Sequence, residues 1–554
     1  MKSARKASTR MPSHAVRGRW CLHASAAAAL SLVACVAQAQ LAPVAACTSA
    51  GIGAVTLVGD GAPVKIVSAE AATTAAPASV PYCLVKLLIP SAINIWVGLP
   101  TSWNGRWQSL GGGGYAGSVA APTAAVNDGY AGATTDTGHT GGDGSFGMST
   151  TSPPGPNVDL QIDFAYRSEH LMAVLGKQLV QAYYGRQPTY SYWNGCSTGG
   201  RQGLRMAQDF PRDYDGILAI APAIHWDRFI AAEIWAQVVQ NLDNGGLIGG
   251  GVPATLNAKQ ALATNAAIAA CDMLDGVADQ TLTDPRLCGY TASKDPAVTK
   301  ASCTATDTTC LTPTEASAID KMWQGPVSCQ AGLTPGSCAV SDIPTRRLGG
   351  DRSKRLWYAQ TRGAALNGLG GASPFSIAVS HARYWTYFDP TWDWKALDYD
   401  SYVQYFKDAV NVVGPMMASD DPDLTQFRDQ GSKLLMWHGF ADQLIPTEGT
   451  IDYYDAVTNR MSNGNYKKTQ KWARLFLAPG VAHCGGGTGP QPQNVFPALV
   501  NWVEHGKAPD VILASKALTP SGTQVRPLCV YPKMAKYIGT GDTNSATSFV
   551  CAEE

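Results

Sequence analysis

The chain has 554 residues, 45% of them hydrophobic, with 57 Gly and 34 Pro, so a large core carrying long loops, in more than one domain, is expected. Lys+Arg and Asp+Glu balance at 42 each, but six of the basic residues and none of the acidic ones lie in residues 1–39. Without that segment the net charge is −6, which excludes the basic surface that a nucleic-acid partner favours.

Residues 1–39 read as an export signal. Lys2, Arg5, Lys6, Arg10, Arg17 and Arg19 form a basic start, Ala24 to Ala34 a short apolar core, and Ala37-Gln38-Ala39 a small-residue cleavage site. The apolar run is too short to span a bilayer comfortably. Leu32-Val33-Ala34-Cys35 also resembles a lipobox, in which an acylated Cys35 would anchor an outer-membrane lipoprotein. The expected location is therefore exported, periplasmic or extracellular. Apart from Cys21 and Cys35, twelve cysteines remain, an even number that in an exported chain reads as disulfides. Proximity favours Cys47–Cys83, Cys271–Cys288, Cys303–Cys310, Cys329–Cys338 and Cys529–Cys551, although sequence alone leaves the connectivity open. Zinc is the competing use of cysteine, and no CxxC appears.

From residue 40 to 225, short apolar runs alternate with helical patterns. "CLVKLLIP" and "INIWVGLP" read as strands, and "WNGRWQSLGGGGYAG" as a strand entering a Gly-rich loop. Tyr166 to Gly185 has helical spacing and a Gly stop. "TYSYWNG" is a strand, "RQGLRMAQDF" a helix and "YDGILAIAPA" a buried strand. Residues 226–425 change character, with Ala-rich helices between Cys-, Thr-, Pro- and Trp-rich loops. Over 426–554 the strands "KLLMWHG" and "WARLFLAPG" and the helix "NVFPALVNWVEHG" resume the first pattern. The fold class is α/β: a doubly wound α/β-hydrolase sheet with a large inserted lid domain, rich in disulfides.

Gly195-Cys196-Ser197-Thr198-Gly199 fits G-x-S-x-G, in which glycines permit a sharp strand-to-helix turn that exposes the serine hydroxyl. Seven His lie beyond residue 39; only His483 follows an apolar strand, sits in a Gly-rich loop and has a cysteine neighbour. Asp442 follows "KLLMWHG", so Ser197, Asp442 and His483 stand in α/β-hydrolase order. A hydrogen bond between Ser197 and His483 would bring Cys196 and Cys484 within disulfide range. That bridge would limit drift between nucleophile and base, and chain entropy allows it ~4–5 kcal/mol. The oxyanion donors expected are the N–H of Thr198 and, from "GGGGYAG", that of Gly114. In "CDMLDGVADQTLTDP", Asp272, Asp275 and Asp279 lie around Gly276. Closely spaced carboxylates repel unless a hard cation binds, so the loop reads as a structural Ca²⁺ site with the Val277 and Thr281 carbonyls as further ligands. The alternative is a solvated acidic turn, and no organic cofactor is expected.

These motifs, with "FPRDYDGILAIAPA", "RLFLAPGVAHCGGG" and the tail "RPLCVYPKMAKYIGTGD", resemble the tannase/feruloyl esterase family of α/β-hydrolases over most of the chain beyond residue 39. The family includes feruloyl esterases, tannases and the mono(2-hydroxyethyl) terephthalate hydrolase. The resemblance implies a triad of Ser197, Asp442 and His483, a Cys196–Cys484 bridge, Ca²⁺ on the Asp272/Asp275/Asp279 loop and the five local cysteine pairs. The terephthalate enzyme grips its substrate carboxylate with a lid arginine; Ser376 aligns there, and Arg383 aligns with a different arginine. Trp357, Tyr358, Phe375, Tyr384, Trp385, Tyr387 and Phe388 suit a flat acyl group, or form lid core. Trp357, Ser380, His381 and His438 are candidate substrate-binding residues. The expected function is a secreted serine esterase acting on small-molecule esters of aromatic acids, feruloyl esters foremost. Terephthalate-monoester or tannase-like hydrolysis is the alternative, and a noncatalytic binding protein on the same fold is the rival from another class.

Overall fold

Nine strands build the main sheet: β1 Lys65–Ala72, β2 Tyr82–Ile89, β3 Ile93–Pro100, β4 Arg106–Leu110, β5 Ala131–Thr135, β6 Tyr190–Cys196, β7 Gly216–Ile220, β8 Lys433–Gly439 and β9 Ala473–Ala478. The computed structural model describes residues 42–553 except 62–63, 73–76, 91 and 328–354. The export segment 1–39 with Cys35, and the Cys329–Cys338 pair, lie outside the described residues. The strand order is β1-β2-β3-β5-β4-β6-β7-β8-β9. Strands β5, β4, β6, β7, β8 and β9 run parallel, whereas β1, β2 and β3 join antiparallel, so the doubly wound sheet is mixed.

The parallel strands are apolar runs because both of their faces are covered. In β8, Leu434 and Met436 enter one core, and Leu435 and Trp437 enter another. Helices α1 (Ser168–Tyr184) and α2 (Thr198–Asp209) pack on the first face through residues such as Leu175 and Leu204. A C-terminal helix, Val495–His505, packs on the second through Leu499 and Trp502.

Strands β7 and β8 are neighbours in the sheet, yet more than two hundred residues separate them in the chain. This insertion carries helices α3 (Trp226–Glu233), α4 (Trp235–Asp243), α5 (Pro253–Cys271), α6 (Pro313–Gln324), α7 (Ser376–His381) and α8 (Tyr399–Met417). Its apolar core takes in Trp226, Trp235, Trp385 and Tyr402, together with Tyr115 and Phe164 from the strand-bearing part of the chain. Gln40–Glu554 accordingly forms one compact unit. The bonds Cys47–Cys83, Cys271–Cys288, Cys303–Cys310 and Cys529–Cys551 each close a short segment. No helix among the described residues is long and apolar enough to cross a membrane.

Candidate active site

Strand β6 ends at Cys196 and α2 begins at Thr198, leaving Ser197 at φ 62°, ψ −123°. A non-glycine residue held at positive φ costs ~1–3 kcal/mol, a strain that persists only where its surroundings enforce it. Here glycines enforce it: a Cβ on Gly195 would lie 2.4 Å from the Gly199 carbonyl oxygen, and one on Gly111 would lie 2.5 Å from Gly199 Cα. The elbow and the Gly-rich loop after β4 therefore meet backbone to backbone.

Two hydrogen bonds fix that loop to the first turns of α2. Gln202 accepts from the Gly112 N–H at 2.9 Å, and the Thr198 hydroxyl donates to the Gly114 carbonyl at 2.5 Å. Neither the Thr198 nor the Gly114 N–H has a protein acceptor among the described residues. Two free amides beside the elbow, one at the positive end of α2, can stabilise a developing oxyanion.

Beyond β8, helix α9 (Thr447–Ser462) begins. Asp442, in the loop between them, is 2% exposed. Its Oδ1 accepts the N–H groups of Leu444 and Ile445, each at 2.9 Å. Its Oδ2 lies 2.7 Å from His483 Nδ1 and 2.9 Å from His438 Nε2. Burial would raise this carboxyl, but the hydrogen bonds from the two histidines prevail and hold it well below the usual carboxylate range. His483 is steadied further by its own N–H, which donates to Gln443 Oε1 at 3.1 Å. A Cβ on Gly439 would lie 2.1 Å from the Val481 carbonyl oxygen, so the end of β8 touches the histidine loop.

Cys196 and Cys484 are bonded to each other, with Cα atoms 5.9 Å apart. The residue before Ser197 is thus covalently joined to the residue after His483. Nucleophile candidate, imidazole and carboxylate come from three separate parts of the chain, and this bridge with the Asp442 hydrogen bond gathers them.

His438 is completely buried and both its nitrogens are engaged, Nε2 with Asp442 and Nδ1 with Thr450 Oγ1 at 2.8 Å. It is a partner of the acid and not the substrate contact expected from sequence. His381 is also fully buried; burial pulls it down to about 3, so its ring is neutral. Ser380 donates to the Ile377 carbonyl at 3.1 Å. Trp357 is buried against His225, with ring centroids 4.9 Å apart. The lid reaches the oxyanion loop through two residues that sequence alone did not single out for that place. Ile377 Cδ1 lies 3.5 Å from where a Gly114 Cβ would be, and Trp385 stacks on Tyr115 with centroids 5.9 Å apart.

On the acidic loop, Asp275 accepts from the Val277 N–H at 2.9 Å and from the Thr283 hydroxyl at 2.5 Å. Asp279 accepts from Thr281 N–H at 3.0 Å and pairs with Arg526 at 2.6 Å. Burial, with Asp279 and Asp272 nearby, raises Asp275. The Thr281 hydroxyl is buried without a partner. Three carboxylates and an orphaned hydroxyl are all-oxygen donors, the chemistry that a hard cation takes. Their carboxylate oxygens do not all come within 4.8 Å of one another; among the described residues only ligand atoms of Cys303, Asp307 and Cys310 do. Those two sulfurs are bonded to each other, so that group is a bridged loop, not a metal site.

The family model described as tannase and feruloyl esterase matches residues 89–552. A probable feruloyl esterase of Arthroderma benhamiae is 36% identical over 83% of this chain and 82% of its own. The mono(2-hydroxyethyl) terephthalate hydrolase of Piscinibacter sakaiensis is 30% identical over 84% and 82%. Among solved structures, feruloyl esterase B from Aspergillus oryzae superposes with a TM-score of 0.73 at 26% identity, covering 88% of this chain and 96% of that one. The tannin acyl hydrolase from Aspergillus niger, at 21% identity and a TM-score of 0.71, shares the fold over 92% and 96%. With a family match over most of its length and an elbow, acid and histidine placed after the C-terminal ends of parallel strands, this chain belongs to the tannase and feruloyl esterase family of carboxylic ester hydrolases.

Proposed function

We propose that the protein hydrolyses esters of aromatic carboxylic acids, hydroxycinnamoyl esters foremost, through an acyl-enzyme on Ser197. The observation that carries this reading is the Cys196–Cys484 bond, which ties the elbow to the histidine whose Nδ1 lies 2.7 Å from Asp442. Ser197 Oγ attacks the ester carbonyl as His483 Nε2 takes its proton. Asp442 keeps the imidazole in the tautomer that can do so and stabilises the imidazolium. The Thr198 and Gly114 amides receive the oxyanion. His483 then protonates the leaving alcohol, and water, activated by the same nitrogen, releases the acid.

The aromatic acyl preference draws support from the lid around Tyr115, Trp385 and Ile377 and from the two relatives named for feruloyl esters. Ser376 is exposed, and Arg383 donates to the Trp392 carbonyl at 2.9 Å. Ser376 carries no guanidinium and Arg383 is turned by its Nε to the Trp392 carbonyl, so we rank the terephthalate monoester below feruloyl esters. We expect kcat/KM for methyl ferulate to exceed that for the terephthalate monoester and for a short aliphatic methyl ester by at least about tenfold, since a filled aromatic pocket distinguishes acyl groups by ~1–3 kcal/mol. A preference for the aliphatic ester would defeat the aromatic reading.

Export through residues 1–39, with Cys35 acylation as the alternative fate, accords with five disulfides, which persist in oxidising compartments. The Asp272/Asp275/Asp279 loop would hold Ca²⁺, with the Val277 and Thr281 carbonyls completing the set. The ion would neutralise the loop and brace it where Arg526 joins it to the C-terminal tail. Chelation should lower the unfolding temperature, and Ca²⁺ at 100 times its Kd should restore about 2.7 kcal/mol of stability. Scanning calorimetry showing one transition temperature before and after complete metal removal would refute the site.

A further inference from the structure

We propose that His438 is a positioning residue of the ester-hydrolysing site: as a second donor on Asp442 Oδ2, it limits how strongly that carboxylate holds the His483 imidazolium. The inference rests on the triad reading given above. A carboxylate only accepts hydrogen bonds, so both nitrogens facing Oδ2 carry protons: Nδ1 of His483 at 2.7 Å and Nε2 of His438 at 2.9 Å. His438 Nδ1 faces Thr450 Oγ1 at 2.8 Å, where the hydroxyl can donate to it. Threonine on α9 thus orients the imidazole at the end of β8, and that imidazole orients the acid.

The environment leaves His438 in charge of this oxygen. Oδ1 is occupied by the Leu444 and Ile445 amides. From the lid, Glu233 on α3 faces Asp442, and burial first, with Asp442 itself second, raises its carboxyl well above the usual range. Elsewhere on α9, Glu448 faces Arg355, Arg286 and Asp284. Among the described residues, His483 is the remaining titratable group at the acid. An oxygen shared by two N–H donors offers less electron density to each. Without His438, Asp442 would attract the protonated form of His483 more strongly, and the base would be blocked by its proton up to a higher pH.

The test is the acid limb of kcat/KM against pH, measured with p-nitrophenyl acetate. His438→Met, close in volume and without a donor, should move the limb upward by roughly half a unit to one unit. His438→Gln, whose amide can donate to Oδ2, should return it close to the wild-type position. Thr450→Val should move it in the same direction as Met by a smaller amount. A purely structural role would lower the unfolding temperature and kcat without moving the limb. An unmoved limb in His438→Met overturns the proposal, as does a Gln variant displaced as far as Met; if the Met variant does not fold, an unmoved limb in Thr450→Val overturns it. Stoichiometric labelling of Ser197 by a p-nitrophenyl phosphonate separates the two readings: an unlabelled wild type defeats the triad, whereas labelled variants with an unmoved limb defeat the role of His438 alone.

Discussion

Ser197→Ala is expected to lower kcat for p-nitrophenyl acetate by about 10⁵- to 10⁶-fold while near-ultraviolet circular dichroism stays native. The substitution removes one oxygen and nothing that holds the elbow. Gly195, Gly199 and Gly111 still meet at backbone distance, and the Thr198 hydroxyl still ties the loop to α2. Alanine occupies the same positive φ at the same cost, so stability should change little. What remains is the pair of free amides at Thr198 and Gly114, which polarise a bound carbonyl without a nucleophile. They account for the residual rate over water that acyl-transfer enzymes keep when the serine is lost. A variant within tenfold of wild type would end the serine mechanism for this protein.

Asp442→Asn should cost about 10⁴-fold in kcat, for a reason the surrounding donors dictate. The Leu444 and Ile445 amides both point at Oδ1, so an asparagine must place its carbonyl oxygen there. Its NH₂ then replaces Oδ2 and faces His483 Nδ1 and His438 Nε2, which can only accept from it. His483 is driven into the tautomer protonated on Nε2, the nitrogen that must receive the serine proton. The side chain is isosteric and every hydrogen bond keeps a partner, so the loss should appear in kcat far more than in the unfolding temperature. A drop of less than about tenfold would show that Asp442 does not govern the imidazole, since the wrong tautomer elsewhere costs orders of magnitude.

The sequence reveals an element where burial leaves a one-sided mark. Strands Lys433–Gly439 and Ala473–Ala478 stand out because both faces are covered and nearly every side chain is apolar. Lys65–Ala72 does not stand out: it is an edge strand with half of its residues exposed and one buried, and it shows neither a run nor a clean alternation. Its place depends on pairing with Tyr82–Ile89, which its own residues do not announce. Helix Tyr399–Met417 holds Pro415 inside its last turn, where a sequence reading would stop the helix earlier.

The site shows the same division. Ser197 carries a local signature, and the cysteines beside it and beside His483 carry a long-range one. His438 lies four residues before Asp442, and that spacing across a strand end does not reveal that the loop folds back to bring ring and carboxylate together. Thr450 and Ile377 are a common hydroxyl and a common aliphatic residue, and only the packing of α9 and α7 gives them a place. The acidic loop announced its carboxylates but not Arg526, which reaches it from the far end of the chain.

The bond between Cys196 and Cys484 straddles the insertion: one sulfur lies before it in the chain and the other after it. A protease nick anywhere between Ile220 and Lys433 would therefore yield two polypeptides that remain one molecule. They would migrate apart on a denaturing gel only after a reductant is added. The hydrolytic machinery is insured against a break anywhere in the insertion.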